Sequence, residues 1–402
     1  MNRYQEIERY ICLHWDETVR FQPVADGSLL ALPYPFTVPC MKGAFNEMYY
    51  WDTYFTNRGL LLSGRVELAK QNCENIAHLI KVYGYMPNGS RTFYIGRSQP
   101  PYFALMVADI YEVLQDDLWL SQMYEVICRE YNFWMTKRIA PNGLNCYGSD
   151  YTEEYYREFM EQIATRIELD ASRDTVEAGR SYVAEAESGW DFNPRFGGYC
   201  TQYNPVDLNS LLYRYEVLLA SFAEQLGQDA TAWEEKAKMR KEHMEVMQDP
   251  DTGVMYDYNY VTGCRSQVLS AASIWPYWVG IKSEQTGVSQ LLSCLELPYG
   301  ITATVPTAGN YQWGYGKAWA PITLVVIEAL DRIGLQDDAV RIAAKYVHMI
   351  ADNYEQTGGL WEKYDARTGK VVIGSEYETP QMMGWTAGAY LQAIQYCKSK
   401  VA

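Results

Sequence analysis

The sequence predicts an all-α fold in which paired helices close into a ring. Apolar residues recur at the 3.6-residue helical period along the whole chain of 402 residues. Alternating strand patterns are scarce, and no Pro/Gly/Ser-rich linker or block of like charge divides the chain. We therefore predict one domain over residues 1–402, an (α/α)6 toroid built as a barrel of six helical hairpins, with short β-hairpin pieces in its loops.

The clearest helical segment follows Asn204-Pro205, where a capping residue precedes a proline at the first helical position, and it ends at Gly227. A second apolar stripe begins at Val66 and ends near Gly84. Similar segments are predicted at residues 101–115, 119–138, 153–168, 229–247, 268–280, 317–333, 336–354 and 381–397. Hairpin pieces are predicted at residues 254–256 and 371–373, beside turns at 251–253 and 367–369.

Helices joined by short turns must bury their apolar stripes against neighbouring helices. A superhelical solenoid is the alternative to a closed ring, but a solenoid repeats at a fixed period, and the sequence has no such repeat. Clusters of polar and aromatic residues lie between the predicted helices instead. This distribution favours a closed ring with a functional site at one end.

Composition limits the classes of partner. The net charge of −16 repels nucleic acid and anionic membranes, and no apolar run reaches the ~20 residues of a membrane helix. The nine cysteines are scattered and form no C-x-x-C pair, and the charged N-terminus has no apolar signal-peptide stretch. These features predict a cytoplasmic protein with reduced thiols. The 35 tyrosines and 12 tryptophans fit a large core rich in tyrosine, and they tilt the prediction toward a carbohydrate substrate only because aromatic faces pack on sugar C–H groups.

Five stretches combine aromatic residues, glycines, amides and acids near predicted helix junctions, where loops build functional sites. They are residues 43–55, 86–101, 187–196, 312–321 and 360–385. Glycoside hydrolysis needs two carboxyl groups, one protonated and one ionised. Asp191 lies between Trp190 and Phe192, and apolar neighbours suit a general acid. Glu362, beside Trp361, is the acid of a second aromatic loop.

Other chemistries have little support in the sequence. The histidines are isolated and form no metal-binding motif, and no Gly-rich phosphate loop follows a strand, so no metal and no cofactor is predicted. A sugar epimerase on a similar barrel would need a base that titrates near neutral pH, usually a histidine, and none lies in the five stretches. The four histidines are His14, His78, His243 and His348.

The same stretches resemble the α,α-trehalase family of glycoside hydrolases, in order and over most of the chain. Residues 43–52 are similar to the first signature of the family and residues 312–321 to the second. Further family blocks match at 87–89, 97–101, 188–191 and 362–365. The resemblance implies an (α/α)6 barrel and an inverting, metal-free mechanism, with Asp191 as general acid and Glu362 as general base.

The resemblance also implies which residues contact the sugar. Glu153 keeps the glutamate of a family Arg-Pro-Glu triplet, and Trp319 belongs to the second signature. The other implied contacts are Phe45, Trp51, Asp52, Asn88, Arg97, Ser98, Gln99, Gly189 and Glu376.

The sequence departs from the family pattern at several positions. Ala44 and Tyr151 stand where the family has arginines, and Gly314 replaces the aspartate of Gln-Trp-Asp. The glycine run before Glu376 is also shortened. Loss of two arginines removes planar, bidentate donors. The substrate is therefore left open between trehalose and another small α-glycoside, such as an α-glucoside or α-mannoside of the glycosylglycerate type. A non-catalytic sugar-binding barrel is the remaining alternative, but it would be expected to lose the acid or the base.

Overall fold

The computed structural model describes residues 2–42, 45–167, 172–372 and 381–401. Helices dominate this part of the chain. They are α1 Arg3–His14, α2 Tyr50–Leu62, α3 Val66–Tyr83, α4 Phe103–Leu114, α5 Asp117–Lys137, α6 Glu153–Ile163, α7 Thr175–Glu187, α8 Val206–Gln225, α9 Thr231–His243, α10 Trp275–Val279, α11 Val288–Leu295, α12 Ala320–Arg332, α13 Gln336–Thr357 and α14 Gly384–Val401.

The strands of the described residues are two or three residues long, and they pair only antiparallel. They are β1 Val19–Arg20, β2 Phe36–Thr37, β3 Tyr203–Asn204, β4 Tyr258–Asn259, β5 Cys264–Arg265, β6 Glu296–Leu297, β7 Gly300–Ile301, β8 Lys317–Trp319 and β9 Lys363–Asp365. The predicted hairpin pieces reduce to single bridges, Met255 with Gln248 and Val371 with Tyr364, while residue 373 lies outside the described residues.

Six helices form an inner ring in the order α2, α4, α8, α10, α12 and α14, and α14 packs back on α2. Helices α1, α3, α5, α9 and α13 pack outside this ring, and α11 packs against the turn that precedes α10. The contact between α14 and α2 closes the ring, which rules out the solenoid and confirms the predicted (α/α)6 toroid.

The ring closes where two glycines let helices α2 and α14 touch backbone to backbone. A Cβ on Gly388 would lie 2.0 Å from the carbonyl oxygen of Phe55, and a Cβ on Gly59 would lie 2.7 Å from the Cα of Gly388. Both distances are shorter than any van der Waals contact, so only glycine fits at this crossing.

Several helix boundaries differ from the prediction. Asn204 does not cap α8; it lies in β3 and its side chain donates to the carbonyl of Asn145. Helix α8 begins one residue later than predicted, at Val206, whose amide donates to Asp257 at 2.9 Å. Helix α6 ends at Ile163 and not at residue 168, which lies outside the described residues. The segment predicted as a helix from residue 317 begins as strand β8.

The inner helices α2, α4, α8 and α12 are each followed by the outer helix that packs on them, so their N-terminal ends lie at one end of the ring. Helix α4 has no side-chain cap of its own. The phenolic oxygen of Tyr50 accepts hydrogen bonds from the amide of Phe103, and that of Tyr215 accepts from the amide of Ala104. Both tyrosines donate to the buried carboxyl group of Glu130 at 2.7 Å. This network holds the starts of α2 and α4 together beneath the end where the loops converge.

Candidate active site

A cavity of about 330 Å³ opens at this end of the ring. Both predicted catalytic carboxyl groups and most of the predicted sugar contacts line it. The predicted residues in its wall are Phe45, Trp51, Asp52, Asn88, Arg97, Gln99, Gly189, Asp191, Trp319 and Glu362.

Two predicted contacts are not part of this wall, and a third lies outside the described residues. Ser98 is fully buried and its hydroxyl donates to the carbonyl of Met86, so it braces the loop from inside. Glu153 is exposed in the first turn of α6 and pairs with Arg157 at 2.9 Å, so the prediction that it contacts sugar is not supported by its position. Glu376 falls within residues 373–380, which lie outside the described residues, as does Ala44.

The loop that carries Asp191 begins directly after α7. Gly189 adopts φ +73°, and a Cβ there would lie 2.9 Å from the indole ring of Trp51. Glycine therefore lets the backbone lie against this ring, and the chain then presents the half-buried Asp191 to the cavity.

Glu187, the last residue of α7, joins three loops beneath the cavity. Its carboxylate accepts two hydrogen bonds from the guanidinium of Arg138, at 2.8 and 3.0 Å. It also accepts from the amides of Ser98 and Gly148, each at 2.7 Å. The loop of the general acid is thus tied to the loop that carries Arg97 and Gln99. Such supporting bonds hold catalytic groups in place.

A buried ion cluster supports the other side of the same loop. The guanidinium of Arg195 binds the carboxylates of Asp207 and Asp257 through four hydrogen bonds of 2.7 to 3.0 Å. It also lies 4.7 Å from the ring centre of Trp190. Because all three charges are buried and mutually paired, removal of one would leave an uncompensated charge.

The loop that carries Glu362 is held by strand pairing and by the first turn of α14. Lys363 lies opposite Trp319 in the β8–β9 pair, and its Nζ donates to Oε2 of Glu362 at 3.0 Å. The indole N–H of Trp385 donates to the main-chain carbonyl of Glu362 at 3.1 Å. These contacts orient the carboxyl group of Glu362, a residue that is only 6% exposed.

Tryptophans form the apolar wall of the cavity. Trp313 stacks on Trp319 with ring centres 3.8 Å apart and on Trp190 at 5.0 Å. Trp51 lies 5.5 Å from Trp313 and 5.8 Å from Trp385. Aromatic surfaces of this kind pack on the C–H faces of sugars and exclude water from the reacting groups.

A third carboxyl group, that of Asp52, lies in the same cavity. Burial, and to a smaller extent the neighbouring carboxyl groups of Glu362 and Asp191, raise its pKa from 3.8 to about 7. In its protonated form Asp52 can donate a hydrogen bond to a sugar hydroxyl, and in its ionised form it can only accept.

Two arginines of the described part of the chain face the cavity. Arg97 donates to the side-chain oxygen of Asn88 at 2.9 Å. Arg166 lies in the loop after α6, with its guanidinium 3.7 Å from the ring centre of Phe192 and bonded to Gln312 at 3.0 Å.

Arg166 lies outside the five stretches and was not predicted as a site residue, because its loop lacks the glycine and aromatic residues that mark them. The wall also contains residues that were not predicted as site residues: Pro39, Tyr49, Tyr94, Gln312, Trp313, Met383 and Trp385. All of these except Pro39 lie within the five stretches. Tyr151, at one of the altered arginine positions, does not line the cavity and covers Gly96 instead.

No group of three or more His, Cys, Asp or Glu side chains is arranged to hold a metal ion in the described part of the chain. No helix in the described ranges has the length and apolar character needed to cross a membrane.

A closed ring of paired helices, a tryptophan-lined cavity and two carboxyl groups on separate loops are the features of a glycoside hydrolase. The family model described as Trehalase matches residues 8–398, and the chain belongs to this family.

Relatives match over most of the chain. The periplasmic trehalase of Xanthomonas axonopodis pv. citri is 31% identical, over 98% of this chain and 74% of that protein. The human trehalase is also 31% identical, over 91% of this chain and 68% of that protein. The structure of neutral trehalase Nth1 from Saccharomyces cerevisiae matches with a TM-score of 0.80 and 25% identity, covering 97% of this chain and 80% of that one.

Proposed function

We propose that this protein hydrolyses trehalose, or a closely related small α-glycoside, with inversion at the anomeric carbon. In this proposal Asp191 is the general acid and Glu362 the general base. The observation that carries it is the meeting of these two carboxyl groups, from loops far apart in sequence, in the wall of one tryptophan-lined cavity.

The reaction follows from two proton transfers. Asp191 donates its proton to the glycosidic oxygen as the bond between that oxygen and the anomeric carbon breaks. Glu362 accepts a proton from a water molecule that attacks the anomeric carbon from the opposite face. Inverting enzymes hold their carboxyl groups ~6.5–9.5 Å apart to leave room for this water.

Polar side chains of the cavity wall orient the sugar. Arg97, Asn88 and Gln99 lie together on the loop after α3 and offer both donors and acceptors to hydroxyl groups. Asp52 adds a carboxyl group whose protonation changes near neutral pH. Arg166 and Gln312 are our candidates for contacts to the second sugar or aglycone, since they supply a guanidinium to a site that has lost family arginines.

Stereochemistry tests the proposal directly. An inverting enzyme converts α,α-trehalose into one β-glucose and one α-glucose, whereas a retaining enzyme releases two molecules of α-glucose. Proton NMR during the first minutes, before mutarotation, should therefore show equal amounts of both anomers. Release of α-glucose alone would contradict the assignment of Glu362 as a base.

A parallel screen of small α-glucosides and α-mannosides compares their kcat/KM with that of trehalose. It decides between trehalose and a glycosylglycerate-type substrate. Absence of hydrolysis in every case, with retained sugar binding, would favour the non-catalytic barrel.

We also propose a cytoplasmic location, supported by nine cysteines that are all unpaired, two of them exposed. The comparisons do not support this location, because the Xanthomonas relative is named a periplasmic trehalase. Fractionation of the cells that make the protein, followed by an activity assay of each fraction, tests it.

We propose further that residues 1–402 form one catalytic domain. Ion pairs between the first and last helical segments support this, Arg3 with Asp352 and Glu8 with Lys398, each at 2.6 Å.

A further inference from the structure

A second cavity, of about 140 Å³, lies further along the inner helices, toward their C-terminal ends. Its wall comes from α2, α4, α8, α10 and α12, the same helices whose other ends surround the catalytic cavity. On α2, Arg58 of this wall follows Asp52 by six residues, or about 9 Å along the helix axis. On α12, Arg332 occupies the last position of the helix.

The wall of this second cavity carries an excess of positive charge. It contains three arginines and two acids, which gives a formal charge of +1 in a chain whose net charge is −16. The charged residues are Arg58, Asp109, Arg214, Glu328 and Arg332.

Both acids are already engaged by one arginine. Arg58 donates to Glu328 at 2.7 Å, and its Nε lies 3.6 Å from a carboxylate oxygen of Asp109. The other oxygen of Glu328 accepts from the indole N–H of Trp278 at 2.8 Å. Both acids therefore pair with Arg58, and the guanidinium groups of Arg214 and Arg332 give the wall its net charge of +1.

Among the described residues, neither Arg214 nor Arg332 donates a hydrogen bond to a side chain or forms an ion pair. Arg214 is half-buried in the middle of α8, and its pKa is lowered by burial and by the charge of Arg332. The carboxylate of Asp109 raises the pKa of Arg214 but offsets this effect only in part, so the two neighbouring cations remain unfavourable where Arg214 is partly removed from water.

We propose that this cavity binds a small oxyanion, for which inorganic phosphate is the probe, between the guanidinium groups of Arg214 and Arg332. Guanidinium groups match the geometry of oxyanions through paired hydrogen bonds. The volume is less than half that of the catalytic cavity, which suits a small anion and not a disaccharide. The bound anion joins α8 to the end of α12 and stabilises the ring.

The two guanidinium groups must supply all of the electrostatic attraction for the anion. The C-terminal ends of helices present carbonyl groups and a negative dipole, which repel anions. Removal of either guanidinium group should therefore weaken anion binding strongly.

Calorimetric titration of inorganic phosphate into the full chain tests the proposal, with ionic strength held constant by sodium chloride. We expect one phosphate per chain, and a rise in Tm of about 2 °C at ten times the Kd. Arg214→Gln and Arg332→Gln should each weaken binding at least about tenfold, the effect of losing a charge-assisted hydrogen bond. Arg341→Gln, which alters an exposed arginine paired with Glu296, is the matched control and should bind phosphate like the wild type.

A second readout separates binding from a merely structural role. Without phosphate, Arg214→Gln should melt at or above the wild-type temperature, because it removes a partly buried charge that lies beside a second cation. With phosphate, the wild type should melt at a higher temperature than Arg214→Gln. The proposal would be overturned if the wild type gave no heat of binding and no rise in Tm beyond the sodium chloride control. It would also be overturned if phosphate raised the Tm of both arginine variants as much as that of the wild type. If Arg214→Gln does not fold, Arg332→Gln gives the same test, because Arg332 is exposed and its replacement leaves the core intact. Sugar hydrolysis enters neither readout, so the result is independent of the proposed activity.

Discussion

At the scale of single residues, the catalytic pair can be tested with nearly isosteric changes. Asp191→Asn and Glu362→Gln should each lower kcat at least about 100-fold, because general acid and base catalysis contribute on that scale. Both variants should retain the wild-type circular dichroism spectrum. Glu153→Gln is the control, since Glu153 is exposed and outside the cavity wall, and its kcat should stay at the wild-type value. Full activity of Glu362→Gln would move the base to another carboxyl group.

Asp52 makes stability depend on pH. Its pKa is about 7 in the folded protein against 3.8 for an ordinary aspartate. Well below pH 3.8 the carboxyl group is protonated in both the folded and the unfolded protein, so it does not lower the stability of the fold. As the pH rises from about 4 to 7, the unfolded state gains the charge first, so the folded state loses stability relative to it. A pKa shift of about three units lowers the free energy of unfolding by at most about 4 kcal/mol.

The variant Asp52→Asn removes this titration. Its free energy of unfolding should exceed that of the wild type by an amount that grows between pH 5 and pH 8, measured by urea unfolding. Other buried acids titrate equally in both proteins and cancel in the difference. A difference that does not change with pH would show that Asp52 is ionised throughout.

Arg166 should act on substrate binding more than on the chemical step. Loss of its guanidinium removes a charged donor at the cavity wall, so Arg166→Ala should raise KM about tenfold and lower kcat less. Arg157→Ala, on the exposed face of α6, is the matched control. An unchanged KM for every substrate in the screen would remove Arg166 from the site.

At the scale of elements, the crossing of α2 and α14 decides whether the ring closes. Gly388→Ala should destabilise the protein by about 3 kcal/mol or more, because the new methyl group overlaps the carbonyl of Phe55. Alanine favours a helix over glycine by about 1 kcal/mol, so the intrinsic propensity opposes this result. Stabilisation on urea unfolding would show that the two helices can move apart at no cost.

The sequence predicted most helices but missed α1, α2, α7 and α11. Helix α2 is buried on nearly all sides, from Tyr50 to Asn57, so it has no polar face and no helical period. Helix α7 buries two acids, Glu185 and Glu187, on the face that an apolar stripe would occupy, so the sequence shows no such stripe there. The capping prediction at Asn204 was wrong because the first amide of α8 is satisfied by Asp257, a residue 51 positions from Val206 that no local pattern identifies.

At the scale of the whole molecule, spaced motifs predicted which loops converge. Asp191 and Glu362 line one cavity because the ring brings together loops that are distant in sequence. Side-chain direction was less predictable. Ser98 lies between two residues of the wall yet points inward, and Arg166 reaches the cavity from a loop without a motif. Both outcomes depend on tertiary packing, which the local sequence does not encode.

The closed ring should also unfold as a unit. A chain of 402 residues would often unfold through intermediates, since long chains usually contain separable units. Here the last helix packs on α2, and the first helix packs on α13 and α14, so no segment can leave without opening the ring. Circular dichroism, which reports all helices, and tryptophan fluorescence, dominated by the cluster around Trp313, should therefore give coincident urea transitions. Two separated transitions, or a folded fragment that survives limited proteolysis, would divide residues 1–402 into more than one domain.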